Sequence, residues 1–91
     1  MKNPIFNWSE EKNKILKENR KISFEDVIVA IQEGGLLEII PNPSKNHQEQ
    51  DCFIVGIGNY TYIVPFIENE EGIFLKTIYP SRKYKKIFLN K

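Results

Sequence analysis

The sequence has 91 residues, of which 41% are hydrophobic and 12% aromatic, and its formal net charge is +1. These values are typical of one folded domain, residues 1–91, and argue against a disordered chain. No apolar run approaches the length of a membrane span or a signal peptide, and a lone cysteine, Cys52, cannot form an internal disulfide. We therefore expect a cytoplasmic protein that does not enter a membrane.

The first part of the chain predicts a short extended segment followed by two helices. Ser9 is a favourable N-cap for a helix over residues 10–19, which begins with two glutamates. The segment ISFEDVIVAIQEGG, residues 22–35, predicts a second helix with Ser23 and Asp26 as its capping box. Four apolar residues of this helix recur at the spacing of one helix face: Phe24, Val27, Ile28 and Ile31. The two glycines that follow are expected to end it.

The second part predicts about four strands and a final helix. The strand segments are LLEII, CFIVGI, YTYIVPFI and IFLKTIY, at residues 36–40, 52–57, 60–67 and 73–79. Gly58 and Asn59 indicate a two-residue hairpin, and Pro65 indicates an edge strand or a bulge. Ser81 caps the last helix, whose apolar face is Tyr84, Ile87 and Phe88. Helices on one face of a mainly antiparallel sheet would form an α+β sandwich.

Residues for conventional metal or nucleophilic catalysis are not grouped in the sequence. His47 stands alone in a polar loop, and Cys52 opens an apolar strand without a neighbouring ligand or base. The glycines of residues 56–59 join two strands and lead into no helix, which argues against a phosphate-binding loop. We therefore expect no metal and no small-molecule cofactor.

The charge of the C-terminal part is one-sided. Residues 76–91 carry six lysine or arginine residues and no acidic one. Arg82 and Lys83 follow the predicted cap, so they occupy the first turn of a helix, where cations oppose the helix dipole. A bound phosphate would reverse the sign of that interaction, and Arg82 can donate two parallel hydrogen bonds to it. Lys76, Lys85 and Lys86 would extend the contact along a nucleic-acid backbone.

The same residues have plainer interpretations. Lysine-rich terminal helices are common solubilising features. Tyr60 and Tyr62 share one face of their predicted strand, where they form either a platform for stacked bases or ordinary sheet packing. Tyr84 fits the apolar face of its helix better than a base-stacking role.

Two separated segments resemble the BrnT toxin family. FNWSEEKNKILKENRKISFEDV, residues 6–27, is similar to that family's opening, which has the form F-x-W-[DS]-x-x-K, a helix, a basic patch and an S-F-E element. IYPSRKYKK, residues 78–86, resembles the family's closing element, in which a strand leads through a small residue to Arg-Lys and a basic helix. The middle of the chain, residues 36–72, matches only in pattern.

The resemblance implies the toxin of a type II toxin–antitoxin pair, with a fold similar to the RelE-type ribonucleases. Such toxins cleave RNA without a metal, and a DNA-binding antitoxin protein holds them inactive. RNA and a cognate antitoxin are therefore the expected partners. On this interpretation the expected catalytic residues are Arg82, Lys83 and Arg20, and the expected RNA contacts are Lys76, Ser81, Lys85, Lys86 and Lys17.

The expected reaction is attack of the RNA 2′-hydroxyl on the adjacent phosphorus, with Arg82 stabilising charge on the phosphoryl oxygens. BrnT proteins usually carry Lys-His-Gly before the S-F-E element, and here ENRKI, residues 18–22, stands there. Arg20 lies near the histidine position, and an arginine cannot act as a base near neutral pH. The sequence therefore identifies no general base.

Two other classes of function remain open. A non-catalytic RNA-binding module would bind RNA with a strong salt dependence and leave it uncut. A protein-interaction domain would pair a sheet edge with a partner segment, and the strand that contains Pro65 is the candidate edge.

Overall fold

The computed structural model describes residues 5–89, so Lys91, one of the six C-terminal cations, lies outside the described part. Within it the chain forms, in order, β1 (Phe6–Asn7), α1 (Glu10–Arg20), α2 (Phe24–Gln32), β2 (Leu36–Pro41), β3 (Asp51–Ile57), β4 (Tyr60–Asn69), β5 (Gly72–Leu75), β6 (Tyr79–Pro80) and α3 (Arg82–Phe88). A 3-10 turn, Lys45–His47, lies between β2 and β3. None of these helices is long and apolar enough to cross a membrane.

Side-chain caps define the starts of the two N-terminal helices. The Ser9 hydroxyl accepts a hydrogen bond from the Lys12 N–H at 3.2 Å. Ser23 and Asp26 form a reciprocal capping box, in which each side chain accepts from the other residue's N–H, at 3.1 and 3.0 Å. Gly34 follows α2 with a φ of +91°, a conformation that glycine adopts without strain. Both predicted helices are therefore confirmed.

The strands form one sheet in the order β1-β5-β4-β3-β2, and β6 pairs with β4 alongside. Every pairing is antiparallel except that of β1 with β5. The predicted α+β class with a mainly antiparallel sheet is confirmed. Gly58 and Asn59 form the expected hairpin between β3 and β4, and Gly58 has the positive φ, +63°, that the first position of a type II′ turn requires.

The predicted last strand, residues 73–79, is in fact divided into β5 and β6, because residues 76–78 leave the sheet. Pro65 of β4 lies opposite this interruption, and its carbonyl accepts the Lys76 N–H at 2.8 Å. The N–H and C=O of a strand residue point toward the same neighbouring strand. The Pro65 carbonyl points toward residues 76–78, so the missing N–H of this proline would have pointed there too. The expectation of an edge strand is wrong, because β4 is paired on both sides.

Helices cover both faces of the sheet, and the prediction that all of them share one face is wrong. Successive residues of β3 point to opposite faces. Phe53 joins the core beneath α1 and α2, which we call the front face. Ile54 joins a second cluster on the back face, against which Tyr84 and Phe88 of α3 pack. Ile87, predicted to share their apolar face, is 52% exposed.

Asn13 joins α1 to the start of α2. Its side chain is almost fully buried, at 1% exposure. Its Oδ1 accepts a hydrogen bond from the Phe24 N–H, and its Nδ2 donates to the Glu25 Oε1, each at 2.8 Å. The Phe24 N–H belongs to the first turn of α2 and has no partner within that helix. Asn13 therefore satisfies a buried backbone group that the helix itself cannot.

Asn13→Ala is expected to lower the free energy of unfolding by about 1–3 kcal/mol, because the buried Phe24 N–H loses its acceptor. Urea unfolding followed by circular dichroism measures the change. Asn19→Ala, the same substitution at an exposed position of α1, is the matched control, with an expected change below about 0.5 kcal/mol. Equal losses in the two variants would contradict this role for Asn13.

Glu25 makes the stability dependent on pH. The hydrogen bond from Asn13, a main-chain hydrogen bond and the Lys17 ammonium lower the pKa of Glu25 below its usual 4.5. A lowered folded pKa contributes stability above the unfolded pKa, and that contribution disappears as the pH falls through the folded pKa. Glu25→Gln is therefore expected to have a lower free energy of unfolding than the natural protein at pH 7, and this difference should be smaller at pH 3. Urea unfolding at both pH values measures the difference, and a difference of constant size would refute the role of Glu25.

Candidate nucleic-acid interface

Thr61 of β4 and Ser81 hold the start of α3 against the sheet. The Thr61 carbonyl accepts the Ser81 N–H at 3.0 Å, and the Thr61 hydroxyl donates to the Ser81 carbonyl at 2.6 Å. Both residues are buried. The Ser81 hydroxyl accepts the Tyr84 N–H at 3.2 Å, which makes it the predicted cap of α3. Arg82, the next residue, therefore begins its helix beside the start of β4.

A groove of about 470 Å³ opens beside this point, and we call it the tyrosine groove. Its walls are Arg20 from the end of α1, Tyr60 and Tyr62 from β4, and Pro80 from β6. Tyr62 and Pro80 are directly paired across the sheet. The Arg20 Nη1 donates to the Ile78 carbonyl, 58 residues away in the sequence. This bond holds the end of α1 against the segment that leads into α3.

The two tyrosines of the groove are partly exposed and do not stack on each other. Their ring centroids lie 5.9 Å apart with an angle of 62° between the ring planes, an edge-to-face arrangement. The Lys85 ammonium lies 5.9 Å from the Tyr60 ring centroid, within the range of a cation–π contact. Lys85 of α3 and Arg20 of α1 thus bring positive charge to the aromatic pair from different helices.

The remaining cations of α3 lie on its exposed surface. Arg82, Lys83 and Lys86 are all exposed, and the Lys83 ammonium lies 5.4 Å from the Tyr84 ring centroid. Ser81, an expected RNA contact, is only 7% exposed and its hydroxyl is engaged in the cap. Its structural contribution is to position Arg82.

Two expected RNA contacts lie away from the groove. Lys17 forms an exposed ion pair with Glu25 on α2, with 3.9 Å between Nζ and Oε1. Lys76 has its ammonium 5.3 Å from the Phe74 ring centroid and lines a different cavity. Lys76 is separated from the tyrosine groove because the two lie on opposite faces of the sheet. Phe74 pairs with Ile67, which is two residues from Pro65 and therefore shares the back face with it, and the Lys76 ammonium lies beside Phe74.

The groove combines the two kinds of contact that single-stranded nucleic acids need. Aromatic rings stack on bases of any sequence, and cations contact the phosphates between them. The Arg20 guanidinium uses one nitrogen to bind Ile78, and its other N–H groups are available for a planar contact with phosphate oxygens. A duplex hides its base faces, so this arrangement suits an unpaired strand.

The groups whose pKa values change most clearly on burial lie on the back face. Burial, with a smaller contribution from Asp51, raises the pKa of Cys52 to about 11, and burial raises the pKa of Tyr79. Cys52 is therefore a neutral thiol and a poor nucleophile at neutral pH. Among residues 5–89, no three His, Cys, Asp or Glu side chains come together as metal ligands would.

Sequence reasoning recognised the pieces of this site but not their assembly. It placed Tyr60 and Tyr62 on one strand face, and it gave Arg20 as an expected catalytic residue and Lys85 as an expected RNA contact. Pro80 lines the tyrosine groove because β6 pairs with β4. A strand of two residues has no recognisable pattern in the sequence, so this pairing could not be predicted. The contact between Arg20 and Ile78 spans most of the chain and has no signature in a single sequence.

Thr61→Val is expected to lower the free energy of unfolding by about 1–3 kcal/mol, because the isosteric side chain leaves the buried Ser81 carbonyl without its hydroxyl donor. Hydrogen exchange of the α3 amides, measured by NMR, should accelerate more than exchange in α2. Thr61→Ser retains the hydroxyl and is the matched control. Unchanged exchange in α3 of the valine variant would contradict the role of this bond.

No family model, no curated protein and no solved structure matches the chain.

Proposed function

We propose that the protein binds single-stranded RNA in the tyrosine groove and is the ribonuclease toxin of a toxin–antitoxin pair. The observation that carries the proposal is the convergence of Arg20, Lys85 and two tyrosine rings at one groove, next to the helix that begins with Arg82. The resemblance to the BrnT family supports the same class of protein, with a fold of the RelE type.

RNA binding divides between two kinds of residue. Tyr60 and Tyr62 take unpaired bases, and each stacked base is worth about 1–3 kcal/mol. Arg20 and Lys85 contact the phosphates that flank those bases, and Arg82 extends the contact along α3. Because phosphate contacts release condensed counterions, RNA affinity is expected to fall steeply as salt is raised.

Cleavage requires positioning and charge stabilisation more than a special nucleophile. The 2′-oxygen attacks the adjacent phosphorus, the bond from phosphorus to the 5′-oxygen breaks, and the products are a 2′,3′-cyclic phosphate and a 5′-hydroxyl. The 2′-hydroxyl gives up its proton to a base, and the leaving 5′-oxygen takes a proton from an acid or water. Arg82 and Arg20 stabilise the negative charge on the phosphoryl oxygens, and Lys83 assists from the same turn as Arg82. A groove tyrosine or Lys85 is the candidate for proton transfer.

The proposed partner is a cognate antitoxin that covers this basic groove and is itself a DNA-binding protein. Both proteins act in the cytoplasm, where RNA is the target. A second function, non-catalytic RNA binding, is favoured by one observation. Arg20 stands near the position where BrnT proteins carry a histidine, and an arginine cannot accept a proton near neutral pH. The groove therefore has side chains that can contact phosphate but lacks the histidine that could act as a base.

The test is induced expression in a bacterial host, with growth and total RNA integrity followed together. We expect growth arrest and RNA loss with the natural protein and with Lys14→Ala, an exposed α1 lysine outside the groove. Arg82→Ala and Arg20→Ala should both be soluble and harmless. In Arg20→Ala the bond to Ile78 is also lost, so circular dichroism must show that it is folded.

Binding of fluorescent single-stranded RNA by the purified proteins separates the remaining outcomes. If the natural protein binds the RNA in a salt-dependent way and does not cleave it, the proposal of a ribonuclease is wrong and the proposal of a non-catalytic RNA-binding module stands. Tyr60→Leu with Tyr62→Leu should weaken binding at least tenfold relative to Lys14→Ala. Equal binding by the tyrosine variant would exclude the groove as the RNA site.

A further inference from the structure

A second cavity, of about 330 Å³, opens on the back face where the edge of the sheet is interrupted. We call it the Lys76 cavity. Three segments form it: the loop of residues 42–50, Pro65 of β4, and residues 76–79 between β5 and β6. It exists because residues 76–78 leave the ladder opposite a proline that has no N–H to pair. Its volume is within the range of small-molecule sites.

The basic side chains of the lining are Lys76, which supplies an ammonium group, and His47, which supplies an imidazole. No aspartate or glutamate belongs to the lining. The carboxylates nearest in sequence, Glu49 and Asp51, flank Gln50, and both are exposed outside the lining. Electrostatics therefore favour an anion in this cavity.

Neutral hydrogen-bond donors accompany these basic side chains. Thr77 and Tyr79 contribute hydroxyl groups to the lining. Gln50 is 6% exposed, and its Oε1 accepts a hydrogen bond from the Asn42 Nδ2 at 3.1 Å. With the oxygen engaged, the remaining polar atoms of this buried amide are its two N–H donors. The cavity thus offers donors to a ligand that is rich in acceptor oxygens.

Lys76 is exposed, and its ammonium contacts an aromatic ring. It lies 5.3 Å from the centroid of the Phe74 ring, two residues earlier in the chain. The Lys76 N–H is bonded to the Pro65 carbonyl at 2.8 Å, so the main chain of this residue is held at the cavity. Binding of an anion by this ammonium therefore requires no rearrangement of the main chain.

Two buried titratable groups beside the cavity, Cys52 and Tyr79, carry no charge at neutral pH. Tyr79 packs with Cys52 on the back face. Burial raises the pKa of both groups, that of Cys52 to about 11, so both are uncharged at neutral pH. The Tyr79 hydroxyl therefore acts as a donor. The Tyr79 ring and Pro65 add an apolar wall that suits a planar ring.

We propose that the Lys76 cavity is a binding site for a nucleoside monophosphate, in which Lys76 and His47 contact the phosphate and the Tyr79 ring packs against the base. Phosphate is the anion that matches a lysine together with several hydroxyl and amide donors. The site lies on the opposite face of the sheet from the tyrosine groove and does not depend on the RNA proposal. A free mononucleotide and the phosphorylated end of an RNA strand share this chemistry.

The test is an NMR titration of the ¹⁵N-labelled full chain with inorganic phosphate, adenosine 5′-monophosphate and adenosine. We expect shifts at the amides of residues 42–50 and 76–79, with tighter binding of the mononucleotide than of phosphate and the weakest effect from adenosine. Shifts confined to Tyr60, Tyr62 and their neighbours, or no shifts with any of the three ligands, would overturn the proposal.

Variants then test the named residues. Lys76→Met should raise the dissociation constant of the mononucleotide at least tenfold, because a charged hydrogen bond is lost. Lys14→Met, at an exposed position on α1, is the matched control and should leave it unchanged. His47→Gln should also weaken binding, because the contact between the imidazole and the phosphate is lost. An unchanged dissociation constant in Lys76→Met would refute the site.

A 5′-phosphorylated and a 5′-hydroxyl RNA oligonucleotide distinguish the two sources of the phosphate. If the RNA end is the natural ligand, only the phosphorylated oligonucleotide shifts the 76–79 amides, and it competes with the mononucleotide. If a free mononucleotide is the ligand, neither oligonucleotide shifts them. Both outcomes retain the cavity as a phosphate site, whereas equal shifts with the two oligonucleotides would contradict recognition of a phosphate monoester.

Discussion

The pair of hydrogen bonds between Thr61 and Ser81 is the constraint on which the candidate interface depends. Thr61 is fully buried in a strand paired on both sides, so Ser81 has little freedom once it is bonded there. Because Ser81 also caps α3, the direction of that helix is set by the same residue. The contact between Lys85 and Tyr60 therefore follows from the positions of Thr61 and Ser81.

Strand pleating then divides the cations between two surfaces. Tyr62 is paired with Val55 of the front-face core, and Tyr79 is paired with Ile63 of the back-face cluster. Lys76 follows Phe74 onto the back face, while Arg20 reaches the front face from α1. Lys76 and Lys85, which belong to one basic region of the sequence, thus lie at two separate candidate sites with different chemical surroundings.

Local signals in the sequence predicted the parts of this fold that depend on neighbouring residues. The capping box of Ser23 and the hairpin at Gly58 need only a few adjacent residues, and both are present. The division of the last strand and the placement of α3 on the back face depend on contacts between distant segments, such as Lys76 with Pro65. Alternating apolar residues in β3 were visible in the sequence, but they do not say which face each helix covers. The expected RNA contacts were assigned from charge, and charge alone does not separate Lys76, beside Phe74, from Lys85, beside Tyr60.

The interruption of the sheet at residues 76–78 has a mechanical consequence. β5 and β6 bind β4 through separate sets of hydrogen bonds. The segment between them, residues 76–78, is held by the bond from the Lys76 N–H to the Pro65 carbonyl and by the bond that the Ile78 carbonyl accepts from Arg20. β5 carries β1, whereas β6 leads into α3. The N-terminal strand and α3 are therefore attached to β4 through two different strands, β5 and β6. A displacement of α3 would therefore reach the end of α1 through the buried Ile78 and its bond to Arg20, as well as β4 through β6.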